Sequence, residues 1–162
     1  MKKPPGVVVS LWGVLFATSC TVAADVTGLE AIGKALFFDP SLSEPAGQSC
    51  ASCHDPQAGF ADPDREQPTS EGVRPGLFGA RNTPTTAYAA FSPTFGFDAD
   101  EQLYAGGQFW DGRAATLEEQ AGQPLLNPVE MANRDQAMVV EKVRRSPHAE
   151  GLRAHFGSDV LE

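Results

Sequence analysis

Cys50-Ala51-Ser52-Cys53-His54 decides how this chain is read. Two thiols at this spacing can each add across one vinyl group of a haem, and the adjacent imidazole then serves the iron as an axial ligand. Three other chemistries use the same residue types. Zinc needs two more ligands, but His148 and His155 stand far along the chain and Cys20 lies near its start. A thioredoxin-like redox pair asks for a strand–helix–strand context that the flanking sequence does not offer. A structural disulfide leaves His54 without a role. Covalent haem accounts for all three residues, and attachment prevents cofactor loss from an exported protein.

Export is expected from residues 1–24, which read as a signal peptide. Lys2 and Lys3 form a basic start, Val7 to Thr18 is a short apolar run, and Val22-Ala23-Ala24 offers small residues before cleavage at Asp25. The run falls short of the ~20 apolar residues of a spanning helix. An uncleaved amphipathic anchor is one alternative. Another is lipidation at Cys20, since Ala17-Thr18-Ser19-Cys20 loosely resembles a lipoprotein box, although Ala17 replaces the usual Leu. Each route leads out of the cytoplasm, and the expected location is a bacterial periplasm.

The 162 residues suffice for one ordinary domain, and 41% hydrophobic with 20% charged residues describes a globular chain. The formal charge is −9, and Lys2 and Lys3 leave with the leader. Such an acidic chain is a poor ligand for nucleic acid or anionic membranes and suits cationic partners. Three cysteines are too few for a disulfide scaffold.

The spacing predicts a helix over Thr27 to Phe38, capped by Thr27, with Leu29, Ile32 and Leu36 on one face and Asp39-Pro40 as its stop. Gly59 to Ala80 reads as loop, and Arg81 to Gly112 as irregular. Thr116-Leu117-Glu118-Glu119 is a capping box opening a helix that Pro124 should close. Asn133 should cap a helix to about Arg145. Ser146-Pro147 should start a last helix, ended by Gly157 with Leu152 and Phe156 inward. No segment alternates with period two over strand length. The expectation is a mainly α domain with long loops around one large cofactor. Met131 and Met138 follow the haem motif, whereas the loop from Asp55 to Ala80 holds no His and no Met to close the second axial position. The motif alone fits either an electron carrier or an enzyme with an open iron.

More of the chain bears on that choice. Gly33-Lys34-Ala35-Leu36-Phe37-Phe38-Asp39-Pro40, the Cys50–His54 motif and Arg81-Asn82-Thr83-Pro84-Thr85 come first. Phe109-Trp110-Asp111-Gly112-Arg113-Ala114, Leu117-Glu118-Glu119-Gln120-Ala121 and Asn127-Pro128-Val129-Glu130-Met131 follow. In this order and spacing they resemble the N-terminal half of the bacterial di-haem cytochrome c peroxidases, the family that also holds the methylamine-utilisation protein MauG. The resemblance implies two cytochrome-c-like helical domains, each with one haem c. The N-terminal haem is peroxidatic and the C-terminal one collects electrons. With one CxxCH, residues 25–162 are expected to be the N-terminal haem domain of a longer protein, a fragment without the C-terminal haem domain.

The resemblance also assigns roles. Glu130 would stand over the distal haem face and move a proton during peroxide cleavage; read alone, it is a carboxylate in a solvated Asn-Pro turn. Gln120 would hydrogen-bond bound peroxide or water, where its plain reading is a surface helix residue. Trp110 would relay electrons between the haems, where its plain reading is a core Trp. Asn82 would be one ligand of a calcium ion, a cation that takes 6–8 oxygens. Arg113 would pair with a haem propionate, or with Asp111 or Glu118. The implied function is a periplasmic cytochrome c peroxidase. It would reduce hydrogen peroxide to water with electrons from a small cytochrome or cupredoxin, with a homodimer as its assembly. The rivals are a MauG-like oxidant of a partner protein and a monohaem electron-transfer protein. Expression with a c-type maturation system should give a haem-stained band that survives acidified organic extraction, with Cys50 and Cys53 both in thioether bonds. Loss of the stain would refute the attachment.

Overall fold

Leu29–Phe37 form the first helix, α1, in a computed structural model that describes residues 28–162. The expected signal peptide, Cys20 and the Thr27 cap lie outside the described residues. Gly28 occupies the N-cap without a side-chain bond. Asp39-Pro40 ends the helix as expected, because Asp39 accepts the Ser41 N–H at 2.8 Å and Pro40 opens a 3-10 turn to Leu42. Four more helices follow: α2 Cys50–Cys53, α3 Leu117–Leu126, α4 Gln136–Arg145 and α5 Ala149–Phe156. Among the described residues no helix is long and apolar enough to cross a membrane.

Mostly helical is the observed class, with one addition. A hairpin joins β1 Gly96–Asp98 to β2 Leu103–Ala105, pairing Phe97 with Tyr104. It was not expected, because three-residue strands are too short to display alternation. Tyr104 stacks on Phe95 and meets Phe97 edge-on, which supplies the cross-strand packing that such a short ladder needs.

The helices meet where side chains are small. α1 lies on α5 with Ile32 over Gly151, where an added Cβ would come 2.9 Å from the Ile32 Cδ1. α4 packs on α5 and on the Pro40–Leu42 turn. Leu42, Met131, Ala132, Ala149 and Leu161 are buried. No Phe, Tyr or Trp among the described residues is buried, so the aromatic side chains stay available to groups beyond this core.

Three helix ends differ from expectation. Pro124 sits inside α3, which runs on to Leu126; the Pro124 carbonyl accepts the Met131 N–H and ties the helix end to the next segment. Asp135, not Asn133, caps α4 by accepting the Met138 N–H at 2.8 Å. Asn133 is 2% exposed, and its amide donates to the Leu42 and Leu125 carbonyls at 2.7 and 2.8 Å. Phe156 points outward at 54% exposure, while α5 does end at Gly157. Asn133→Ala should cost about 1–3 kcal/mol, since the Leu42 carbonyl loses its buried donor while the Leu125 carbonyl keeps the Asn133 N–H. Urea unfolding of the haem-loaded protein checks this; an unchanged midpoint would contradict it.

Candidate functional site

The short helix α2 places both cysteines and His54. Ser49 caps it reciprocally with Ser52, and the His54 N–H closes its end on the Cys50 carbonyl at 2.9 Å. Cys50 and Cys53 are free and half-buried. Burial pushes both thiols above their ordinary range; at Cys53 a Ser70 hydrogen bond opposes this, while the Asp62 and Glu130 charges reinforce it. They are therefore held as S–H groups rather than as the thiolates of a reactive redox pair. Among the described residues no three His, Cys, Asp or Glu side chains gather as a metal cluster.

His54 is oriented by its neighbours. Its Nδ1 lies 3.1 Å from the Phe60 carbonyl oxygen, an acceptor only, so Nδ1 carries the proton and the Nε2 lone pair is left for a metal. Phe60 sits at φ 59°, and its N–H is held by the Asp55 carbonyl at 2.7 Å. That left-handed turn aims its carbonyl at the imidazole, and the Thr86 N–H binds the same oxygen at 3.0 Å. Burial pushes His54 below its ordinary value, against the Phe60 and Pro84 carbonyls and Asp62. A neutral imidazole is the ligating form. Two protonated thiols on one helix, a neutral imidazole with fixed tautomer and aromatic side chains outside the core all fit a c-type haem.

Glu130 is held by the turn that leaves α3. Asn127 caps α3; its Oδ1 accepts the Val129 N–H at 3.2 Å and its Nδ2 donates to Glu130 Oε1 at 2.9 Å. Burial raises the Glu130 carboxyl above its ordinary value, while the Asn127 bond and the Arg113 charge pull it down. Phe109, Arg113, Gln123, Pro124, Asn127 and Glu130 line one cavity of about 320 Å³. Gln120 stands one helical turn earlier on α3, half-buried, and is not among the lining side chains. A larger cavity of about 630 Å³ lies between α1 and the α4–α5 junction, away from this chemistry, where His148 Nε2 is 2.8 Å from Asp39 Oδ2.

The remaining expected residues scatter around this centre. Trp110 is 63% exposed among the described residues, and its Nε1–H donates to the Asn82 carbonyl at 2.7 Å. The Asn82 amide donates to the Pro68 carbonyl. Its one side-chain oxygen is an incomplete calcium site, and no step is assigned to calcium. Arg113 bonds Asp111 at 2.9 Å and lies 3.4 Å over the Phe109 ring. Arg81 and Arg113 together hold Asp111 down to about 2. Met131 is buried at 4% exposure. Phe60, Asn127 and Gln123 were not singled out from the sequence. Asn127 had a local signal, an Asx residue three positions before a glutamate; Phe60 acts through its main chain and left none.

The family model for di-haem cytochrome c peroxidase matches residues 28–161. The chain is 52% identical to the methylamine utilization protein MauG of Paracoccus denitrificans, over 83% of this chain and 35% of that protein. It is 42% identical to the cytochrome c peroxidase Ccp of Escherichia coli, over 72% of this chain and 22% of that protein. The crystal structure of the diheme peroxidase BthA from Burkholderia thailandensis superposes with a TM-score of 0.75 and 42% identity, over 81% of this chain and 33% of that one. The chain thus spans about a third or less of the relatives it matches.

The Glu130 carboxyl should titrate above the ordinary range of a glutamate in infrared difference spectra, because its charged form is the one that burial disfavours. Arg113→Ala removes a charge that favours ionisation, so it should raise that value further. An unmoved or lowered value in Arg113→Ala would contradict the arrangement.

Proposed function

This chain belongs to the di-haem cytochrome c peroxidase family, and on that premise we propose that it reduces hydrogen peroxide to water in the periplasm. Cys50 and Cys53 would hold a haem c through thioether bonds, and His54 Nε2 would bind its iron. When bound, that group supplies the iron that accepts peroxide and the redox equivalents. The protein's own residues do the rest. The Phe60 carbonyl keeps the His54 proton on Nδ1. Glu130 would take the proton from one peroxide oxygen and return it to the other as the O–O bond breaks. Asn127 occupies Oε1, so the second carboxylate oxygen is the one free to carry that proton. Arg113 eases the return to the charged carboxylate.

One observation carries this reading. Gln48, whose Nε2 lies 3.5 Å from Cys53 Sγ, donates to the Glu71 carbonyl, and the Val73 N–H two residues on donates to the Glu130 carbonyl, so the proposed base stands close to the haem-attachment helix. A carboxyl raised by burial exchanges its proton nearer neutrality than an exposed one. Electrons would come from a small cationic cytochrome or cupredoxin, suited to the chain's acidic charge, through a second haem domain of the whole protein and Trp110. A MauG-like oxidant of a partner protein is the second reading, favoured by the 52% identity and by the exposed Trp110.

Glu130→Gln keeps the shape and removes the base. Stopped-flow reaction with peroxide should slow by about 10²–10⁴-fold while cyanide binding is retained. An unchanged rate would return Glu130 to a structural role. Gln120 carries the orienting role in this proposal, yet Gln123 shares the Glu130 cavity. Gln120→Ala should slow the peroxide reaction more than Gln123→Ala; the reverse order would move the orienting amide to Gln123.

A further inference from the structure

The haem-attachment helix and the Glu130 turn lie far apart in sequence, yet one three-residue segment joins them. Gln48, 7% exposed, has its Nε2 3.5 Å from Cys53 Sγ and donates to the Glu71 carbonyl at 2.9 Å. Its Oε1 is buried without a partner, so the donor end does the holding. Two residues on, the Val73 N–H donates to the Glu130 carbonyl at 2.9 Å. Between them, Gly72 lies flat against the Val129–Glu130 peptide. A Cβ at Gly72 would overlap the Val129 carbonyl oxygen and stand 2.7 Å from its carbon and 3.1 Å from the Glu130 nitrogen. These are main-chain atoms, which cannot swing aside like the tip of a side chain.

We propose that Glu71–Val73 is a strap that sets the position of Glu130 relative to the haem-attachment residues, with Gln48 and Gly72 as its positioning residues. The inference rests on the peroxidase reading above. The strap is braced on its far side, where the Gly72 N–H donates to the Leu77 carbonyl at 2.8 Å and the Gly76 N–H to Glu71 Oε1 at 2.6 Å. It therefore resists yielding outward when pushed from the Glu130 side. Gly72 is outside the left-handed region, so alanine is allowed there by its own backbone. The effect of Gly72→Ala is then a displacement of Val129 and Glu130. The fold has a second, independent tie between the same regions, the Glu44 N–H to the Met131 carbonyl at 2.7 Å and the Asn133 amide to Leu42. The variant should thus fold and load haem.

The test is a double-mutant cycle on the haem-loaded protein, reading the second-order rate with hydrogen peroxide and the haem content. Gly72→Ala should lower the rate by about 10²-fold, the loss typical of a 1 Å misplacement, with haem content unchanged. In a Glu130→Gln background the same substitution should cause no further loss. Gln48→Met, which removes the donor and keeps the length, should give a smaller loss that also vanishes in that background, and it carries the test if Gly72→Ala does not load haem. A merely structural role would lower the haem content, or slow both backgrounds equally. Wild-type rates in both variants, or equal losses with and without Glu130, overturn the strap while leaving the peroxidase reading intact. If Glu130→Gln itself reacts at the wild-type rate, the peroxidase reading fails and takes this inference with it.

Discussion

The hydrogen bond from His54 Nδ1 to the Phe60 carbonyl is the constraint on which the rest depends. It fixes the tautomer, and so leaves the Nε2 lone pair as the one free to bind a metal. Several local features exist to hold that acceptor still. The left-handed Phe60 and the Asp55–Ala61 bridge fix the turn, and the Thr86 N–H binds the Phe60 carbonyl oxygen itself. Burial keeps the imidazole neutral, so orientation and protonation state are set together. In the proposed reaction one face of the haem is taken by His54, and the chemistry falls to whatever faces the other side.

In the proposed reaction that other side is organised around a single carboxyl. Glu130 carries a burial penalty that makes its proton easier to keep, set against an amide and a guanidinium that make it easier to lose. A group balanced in this way can move a proton in both directions during one reaction. Its position comes from main-chain contacts: the Asn127 turn on one flank and the Glu71–Val73 strap on the other. Arg113, shared between Asp111 and the Phe109 ring, is a fixed rather than a roaming charge.

Features governed by neighbours in sequence were legible. The Cys50–His54 spacing, the Asp39-Pro40 stop, the Thr116 cap and the Gly157 end all act within four residues, and all were found where the sequence put them. What failed to show was decided at a distance. Asn133 and Asp135 are equally good caps by residue type. The choice fell to Asp135 because Asn133 serves the Leu42 and Leu125 carbonyls. Phe156 fits the inward face of α5 by spacing but lies outside the core. Gly72 falls within the Gly59–Ala80 loop and Gln48 had no reading of its own, since their partners are distant in sequence. The roles proposed for Glu130, Gln120, Trp110 and Asn82 rest on family likeness, because no neighbour in sequence singles these residues out.

Low-temperature EPR of the ferric, haem-loaded protein tests the central claim most directly. The claim is an axial His54 on one side and a face left open for peroxide beside Glu130 on the other. His148 is engaged by Asp39, His155 stacks on Phe156 and the loop from Asp55 to Ala80 offers neither His nor Met. The account therefore predicts a dominant high-spin ferric signal that converts to low spin when cyanide is added. A dominant bis-His or His–Met low-spin signal before any addition would contradict it and point instead to an electron carrier.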